Sequence, residues 1–147
     1  MAQEVTVQLD QEDGFRFAIR FSETIPILFG DEPPPLGKAT GPSPSHLLAA
    51  AVANCLSDSL VFALRKFKQK AEPIHASGTA VIDRNTANRM RVQRIHVKLT
   101  LGVPGAELAH LERVLEQFEE FCTVSQSVRQ GIPITVEVYD SAGLRLK

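Results

Sequence analysis

One segment of this chain restricts its possible folds more than any other, because it predicts a helix that is apolar on every side. Between Leu47 and Cys55 the one polar residue is Asn54. Ser43-Pro44 predicts the helix start, since serine caps the first free amides and proline fits the first helical position. The basic residues that follow suit a helix C-terminus, which we expect near Lys70. Such a helix has to be buried on every side. One subunit of 147 residues offers little to cover it, which predicts an oligomer.

The chain has two cysteines, and each is predicted to end an apolar helical stripe. Cys55 ends the run described above. Cys122 ends a series whose spacing of three and four keeps its members on one helix face: Leu108, Leu111, Leu115, Phe118 and Cys122. Each cysteine is either an inert buried residue or a nucleophile sheltered from water. If the two stripes face each other, the thiols form a pair capable of redox chemistry.

Charge and composition exclude several functional classes. The net charge of −1 leaves no basic footprint for nucleic acid or an anionic membrane. No stretch reaches the roughly 18 apolar residues of a membrane span. Residues 1–7 lack the basic start and apolar core of a signal peptide. We therefore expect a single domain over residues 1–147, located in the cytoplasm, with no nucleic acid and no membrane as partner.

Alternating apolar residues predict most of the remaining elements. Strands are expected at 4–10, 15–21, 24–29, 74–83 and 90–103, and through Ile132, Ile134, Val136 and Val138. A second long helix is expected at 105–121 and a short one at 125–130, stopped by Gly131. The loop from Asp31 to Pro44 is longer than most connections, and such loops are often functional. Segregated helices and hairpin strands indicate an α+β fold with largely antiparallel sheets.

Two segments, taken together, resemble the OsmC/Ohr family, the osmotically induced protein C-like and organic hydroperoxide resistance proteins. Gly41-Pro42-Ser43-Pro44 and the helix to Cys55 resemble the first signature, a Gly-x-x-Pro loop that opens an alanine-rich helix bearing a cysteine. The second signature resembles Cys122-Thr123-Val124-Ser125, followed by a short helix and an Ile-x-Ile-x-Val strand. The order of strands and helices agrees from about residue 4 to residue 140, which is nearly the whole chain.

This resemblance implies an OsmC-like intertwined homodimer, with the two cysteine-bearing helices at its centre and an active site at each subunit junction. It implies a thiol-dependent peroxidase, an oxidoreductase with peroxiredoxin-like activity on organic hydroperoxides in the oxidative stress response. Cys55 would attack the peroxide and become a sulfenic acid, and Cys122 would resolve it to a disulfide. A small thiol or dithiol reductant would then reset the pair without a cofactor.

The chain departs from the family pattern at the residues that activate the attacking cysteine. In the family a glutamate lies ten residues before that cysteine, where this chain has Ser45. The family arginine lies either in the first hairpin turn, which here contains Glu12, or about twenty residues before the cysteine, where this chain has Pro35. Thr123 replaces a common proline. A free thiol has a pKa of roughly 8.5, and apolar burial raises that pKa, so an activated Cys55 needs another base and cation.

Three cations near these positions are candidate substitutes: Arg16, Arg20 and Lys38. Arg16 and Arg20 alternate with the apolar face of a strand, which also fits a solvated surface. We take Ser45 and Arg20 as candidate substrate-binding residues, while noting that Ser45 also fits a helix-capping role. His46 lies about 180° round the helix from Cys55, so it is expected to point away.

Other functions stay open at this point. Another base and cation have taken over, or the pair performs slower or different thiol chemistry, or the protein is a non-catalytic OsmC-like member that binds a small hydrophobic ligand at the dimer interface. A purely structural dimer is a further alternative. A metal site built from Cys55, Cys122 and either His46 or His110 lacks a supporting spacing, so we expect no metal.

Overall fold

The computed structural model describes residues 2–131, 135–140 and 144–147. The chain opens with a three-stranded antiparallel sheet: β1 (Gln8–Asp13), β2 (Arg16–Arg20) and β3 (Leu28–Gly30), in that order. Gly14 turns β1 into β2 with a φ of 56°, a left-handed conformation that glycine adopts without strain. The predicted hairpin is therefore confirmed. β3 begins four residues later than expected.

The long helix α1 spans Pro44–Lys66 and begins as predicted. The Ser43 hydroxyl accepts a hydrogen bond from the His46 amide, while His46 Nδ1 accepts one from the Ser43 amide at 3.1 Å. This reciprocal capping box satisfies amides that the helix itself leaves free. α1 ends earlier than expected because Lys68 turns left-handed at a φ of 56° and the Gln69 amide closes back onto the Leu64 carbonyl.

Within one chain α1 is buried on one face and not all round, which corrects the expectation from the sequence. Its eight buried residues share that face: Ala49, Val52, Ala53, Leu56, Ser59, Leu60, Ala63 and Leu64. The opposite face exposes Ala50, Asn54 and Phe62, the last at 53%. By length and composition α1 could also cross a membrane, contrary to the expectation that no segment could. Here it is the core helix of the fold.

A second antiparallel hairpin packs against α1. It consists of β4 (His75–Arg84) and β5 (Met90–Thr100), which pair along their whole length. Gly78 allows the close approach, because a Cβ atom there would lie 3.1 Å from both the Ala49 carbonyl oxygen and the Ala53 Cβ. Together with the first sheet, this hairpin confirms the α+β class with antiparallel sheets.

The second long helix predicted at 105–121 is wrong. A 3₁₀ turn (Gly105–Glu107), α2 (Leu111–Gln117) and another 3₁₀ turn (Phe118–Phe121) take its place. His110 interrupts the helix with a φ of 61°. The predicted stripe is broken accordingly: Leu115 is 49% exposed, whereas its neighbour Val114 is fully buried against α1.

The last predicted helix starts slightly earlier than expected. α3 runs over Thr123–Gln130 and ends at Gly131, whose φ is 74°. Of the predicted final strand, Ile132 and Ile134 lie outside the described residues. Residues 135–138 form no regular strand, and an isolated bridge joins Tyr139 to Arg145.

The loop ahead of α1 is held by one buried carboxylate. Asp31 accepts hydrogen bonds from the backbone amides of Glu32, Lys38 and Thr40 at 2.8, 3.2 and 3.0 Å, and from the Thr40 hydroxyl at 2.8 Å. The amide and hydroxyl of Thr40 are the main reason that the pKa of Asp31 lies below its ordinary value, since they stabilise the charged form more than burial disfavours it. The Asp31 amide also donates to the Pro42 carbonyl at 3.1 Å, which delivers the chain to the start of α1.

Asp31→Asn is expected to destabilise the fold at neutral pH, because an amide lacks the charge and cannot accept all four hydrogen bonds. The folded-state pKa of Asp31 lies below its ordinary value of 3.8. Its contribution is therefore complete above that pH and is lost as the pH falls through the folded-state pKa. The urea midpoint of the wild type should exceed that of Asp31→Asn at neutral pH, and the difference should disappear in acid. Asp13→Asn is the control, since its exposed ion pair with Lys38 contributes little. Equal losses in both variants would contradict the assignment.

Candidate functional site

The two cysteines meet beside α1. Cys55 lies on the helix, and Cys122 lies in the extended residue between the second 3₁₀ turn and α3. They are 3.1 Å apart, and both are free thiols. The expectation that they form a pair is met, although Cys122 reaches Cys55 from a helix start and not from the end of a long helical stripe.

Apolar side chains from four elements enclose the pair. Cys122 is 0% exposed, whereas Cys55 is partly exposed. The side chains packed around them come from α1, β5, the second 3₁₀ turn and α3: Val52, Leu56, Ile95, Val97, Phe118, Val124 and Val128. The pair is therefore sheltered from bulk water, with Cys55 as its more accessible member.

Polar groups nevertheless reach the Cys122 sulfur. Cys122 is the N-cap residue of α3, and its Sγ accepts a hydrogen bond from the Ser125 amide at 3.4 Å. Burial raises the pKa of the Cys122 thiol, but the nearby hydroxyl and the amide of Ser125, together with Cys55 and Ser59, favour the thiolate, outweigh burial and leave the pKa below its ordinary value. Both serines are buried.

Cys55 has the opposite electrostatics. Burial raises the pKa of its thiol, and the hydrogen bond and charge of Cys122 raise it further, as does the nearby carboxylate of Asp58. The Val124 amide opposes these effects without cancelling them. Within the part of the chain that the structure describes, no cation is among the causes of this shift. The two thiols titrate as a coupled pair, in which the surroundings lower the pKa of Cys122 and raise that of Cys55.

A cavity of about 550 Å³ is lined by side chains that pack against the pair, although its lining includes neither Cys55 nor Cys122. Leu48, Val52, Leu56, Val97 and Val128 supply its apolar wall. Arg94, His96, Glu119 and Arg129 supply a polar wall, in which Glu119 and Arg129 form an ion pair at 2.9 Å. Ser125 also lines the cavity, so this residue touches both the open space and the Cys122 sulfur.

The two weaker site candidates lie elsewhere in the chain. Ser45 is in the first turn of α1, roughly 15 Å along the helix from Cys55 at 1.5 Å per residue, and it lines a separate cavity with His46 and Gly78. The capping role considered for Ser45 belongs to Ser43. Arg20 is exposed on β2 and pairs with Asp10 of the neighbouring strand.

The other cations near the first sheet are also engaged. Arg16 pairs with Glu12 at 2.9 Å, donates to the Thr40 hydroxyl at 2.7 Å and lies over the Phe29 ring. Lys38 pairs with Asp13 at 3.0 Å. His46 caps α1, and His110 stacks on Phe67. Among the described residues no cluster of three metal-ligating side chains occurs.

Sequence reasoning missed Ser125 and Ser59. A sequence signal for Ser125 does exist, because Cys122 and Ser125 have the spacing of an N-cap residue and the N3 amide that it accepts from. Ser59 lies one turn beyond Cys55 on the buried face of α1, where its hydroxyl approaches Cys122. Its contact depends on a partner that is distant in the sequence.

The long core helix, the antiparallel hairpins and the paired cysteines define an α+β protein of the OsmC type. The sequence model described as OsmC-like protein matches residues 37–137. Because this match covers more than half of the chain, the protein belongs to the OsmC-like family.

Comparison with solved structures gives the same fold. A putative osmotic stress induced and detoxification response protein from Psychrobacter arcticus has a TM-score of 0.70 at 21% identity, over 86% of this chain and 90% of that chain. An organic hydroperoxide resistance protein from Elizabethkingia anophelis has a TM-score of 0.63 at 18% identity, over 90% and 94%. The organic hydroperoxide resistance protein OhrB of Bacillus subtilis has a TM-score of 0.59 at 18% identity, over 88% and 95%. At these identities the likeness shows the fold alone. A search of curated proteins gives no significant match.

Leu56→Ala should lower the free energy of unfolding by about 2–5 kcal/mol, because it removes a buried side chain that packs against Cys122. The space it leaves should also admit small alkylating reagents to Cys122. Denaturant midpoints and alkylation rates measure the two effects. Leu115→Ala is the matched control, since its half-exposed side chain should change stability by no more than about 0.5 kcal/mol. Equal losses of stability in the two variants would contradict the half-exposed position of Leu115 and would favour the continuous helical stripe that the sequence predicts.

Proposed function

We propose that this protein is a thiol-dependent peroxidase that reduces organic hydroperoxides through a Cys55/Cys122 dithiol–disulfide cycle. One observation carries the proposal: two free thiols lie 3.1 Å apart in an apolar environment beside a cavity. The shared fold with organic hydroperoxide resistance proteins of Elizabethkingia anophelis and Bacillus subtilis supports the same class of substrate.

In the proposed cycle Cys55 attacks and Cys122 resolves. Cys55 is the more exposed residue of the pair, which makes it the one that a peroxide oxygen would reach without displacing the core around Cys122. Attack forms a sulfenic acid at Cys55, and Cys122 then condenses with it to a disulfide and releases water. A small thiol or dithiol, as the cytoplasm contains, returns both sulfurs to the reduced state by thiol–disulfide exchange.

The cavity supports an organic hydroperoxide over hydrogen peroxide. Its volume of about 550 Å³ lies in the range of small-molecule sites. Aliphatic side chains of α1, β5 and α3 form its apolar wall, and these would exclude water from the carbon skeleton of a bound peroxide. Hydrogen peroxide offers no apolar surface to such a wall.

Stoichiometric cumene hydroperoxide should remove both free thiols of the wild-type protein and leave an intramolecular Cys55–Cys122 disulfide. Cys55→Ser should abolish peroxide consumption. Cys122→Ser removes the resolving thiol, so that the sulfenic acid formed at Cys55, at whatever rate, should oxidise further to sulfinic acid when peroxide is in excess. Thiol titration, peptide mapping and intact mass follow these products.

Two unreacted thiols after minutes of exposure would contradict the peroxidase. They would favour the alternative, a non-catalytic member of the family that binds a small hydrophobic ligand. The raised pKa of Cys55 and the same apolar cavity support this alternative. Binding of an apolar dye to the unreactive wild-type protein, and loss of that binding in Leu48→Glu on the cavity wall, would support this alternative.

We also propose a homodimer that covers the exposed face of α1. Phe62 projects from this face with its ring edge-on to Phe121, whose side chain is half exposed. Lys66 lies over both rings. Large apolar side chains grouped at a surface are typical of an interface.

Phe62→Asp should therefore convert the dimer to a monomer, because it places a charge in the proposed interface. Sedimentation equilibrium measures the mass. Met90→Asp is the control, since Met90 is similarly exposed at the start of β5. A wild-type monomer, or equal dissociation in both variants, would contradict the proposed interface.

A further inference from the structure

We propose that Cys122 is the base that activates Cys55: its sulfur carries the resting negative charge and takes the Cys55 proton as Cys55 attacks, and Ser125 positions that charge. This inference rests on the proposed dithiol cycle. It gives Cys122 a role before oxidation, in addition to its role as the resolving thiol.

The first observation is a buried hydroxyl that lacks an acceptor. Ser125 is 4% exposed, and among the described residues its Oγ is the buried side-chain oxygen without a hydrogen-bond partner. A buried hydroxyl is destabilising when it makes no hydrogen bond. Its amide already donates to Cys122 Sγ at 3.4 Å, which places the side chain beside the same sulfur. A thiolate at Cys122 supplies the acceptor that this hydroxyl lacks.

The second observation is that the surrounding structure favours one negative charge at Cys122 and disfavours it at Cys55. Cys122 caps α3, whose eight residues present the positive end of the helix dipole. Ser59, buried one turn beyond Cys55 on α1, also favours the charged form of Cys122. On the other side, Asp58 lies one turn from Cys55 on α1 and repels a charge there.

The remaining charged and titratable groups near the pair do not reverse this order. They lie on β5, the second 3₁₀ turn and α3, at the polar wall of the cavity: Arg94, His96, Glu119 and Arg129. Glu119 and Arg129 neutralise each other at 2.9 Å. The lowered pKa of Cys122 and the raised pKa of Cys55 agree with the geometry.

The resulting steps balance. Cys55–SH passes its proton to the Cys122 thiolate, and the new Cys55 thiolate attacks the terminal oxygen of ROOH. The S–O bond forms, the O–O bond breaks, and the departing alkoxide takes the proton from Cys122, which gives Cys55–SOH, ROH and the Cys122 thiolate. That thiolate attacks the sulfenic sulfur, the S–S bond forms, and hydroxide leaves and takes up a proton from the bulk buffer, to which Cys122 gave its own proton at rest. A dithiol reductant then supplies two electrons and two protons.

Thiolate absorbance in the ultraviolet, measured against pH, assigns the resting charge without requiring access to the buried sulfur. Cys55→Ser keeps a hydroxyl donor beside Cys122, so its thiolate should appear at a lower pH than that of a free cysteine measured alongside it. Cys122→Ser leaves Cys55 buried near Asp58, so its thiolate should appear at a higher pH than that of the same free cysteine. The reverse order in these two variants would overturn the inference.

Ser125→Ala tests the positioning residue. Removing its hydroxyl should raise the pH of the first thiolate step by about one unit or more. The acidic limb of the pH–rate profile for oxidation by cumene hydroperoxide should move upward by the same amount. Ser125→Thr keeps a hydroxyl and should restore both profiles. Ser127→Ala, on the exposed face of α3, should change neither. A packing defect alone would lower stability without moving the pH profile.

Different results would contradict the base role of Cys122 and the peroxidase function. If the protein consumes peroxide with its thiolate at Cys55, or if folded Ser125→Ala has an unshifted pH profile, the base role is wrong and the peroxidase function is unaffected. If the thiolates appear in the predicted order but the protein consumes no peroxide, both the peroxidase function and the base role are wrong.

Discussion

The packing of a single face of α1 is the constraint on which the rest of the structure depends. Towards its C-terminus, Leu60 and Leu64 pack against Val114 of α2. Nearer its middle, Val52 and Leu56 pack against Cys122. Because a helix is rigid over these turns, the two contacts are fixed relative to each other, and the chain that leaves α2 is brought to the level of Cys55. The proximity of the two thiols is therefore a product of core packing, and it exists while both sulfurs are free.

Features that depend on neighbouring residues could be predicted from the sequence. The Gly14 hairpin, the serine and proline that start α1, and the Gly131 stop each follow from local backbone chemistry. Alternation along the strands was sufficient to indicate α+β with antiparallel sheets. The meeting of Cys55 and Cys122 followed from the resemblance to the OsmC/Ohr family, since neither cysteine alone specifies its partner.

Features that depend on distant contacts could not be predicted. The regular spacing from Leu108 to Cys122 favours one helix, but the left-handed His110 interrupts it, and packing on α1 selects Val114 over Leu115. The family pattern predicts a cation for Cys55 from the first hairpin or from the loop ahead of α1. In this chain Arg16, Arg20 and Lys38 each pair with a nearby carboxylate. The side chains that favour a charge on Cys122 include two serines, Ser59 and Ser125, which come together when α1 and α3 pack against each other.

The wide separation of the two cysteines along the chain has a consequence for energetics. A bond between them would join the core helix to α3 and enclose most of the second half of the molecule in one covalent loop. In the chain-entropy view, closing a loop of this length restricts the unfolded ensemble by about 4 kcal/mol. By thermodynamic linkage, a fold that holds the sulfurs in contact favours their oxidised form by the same amount. In the proposed cycle a reductant would therefore have to overcome the preference of the fold for this closed loop, which favours a dithiol over a single thiol as the reductant.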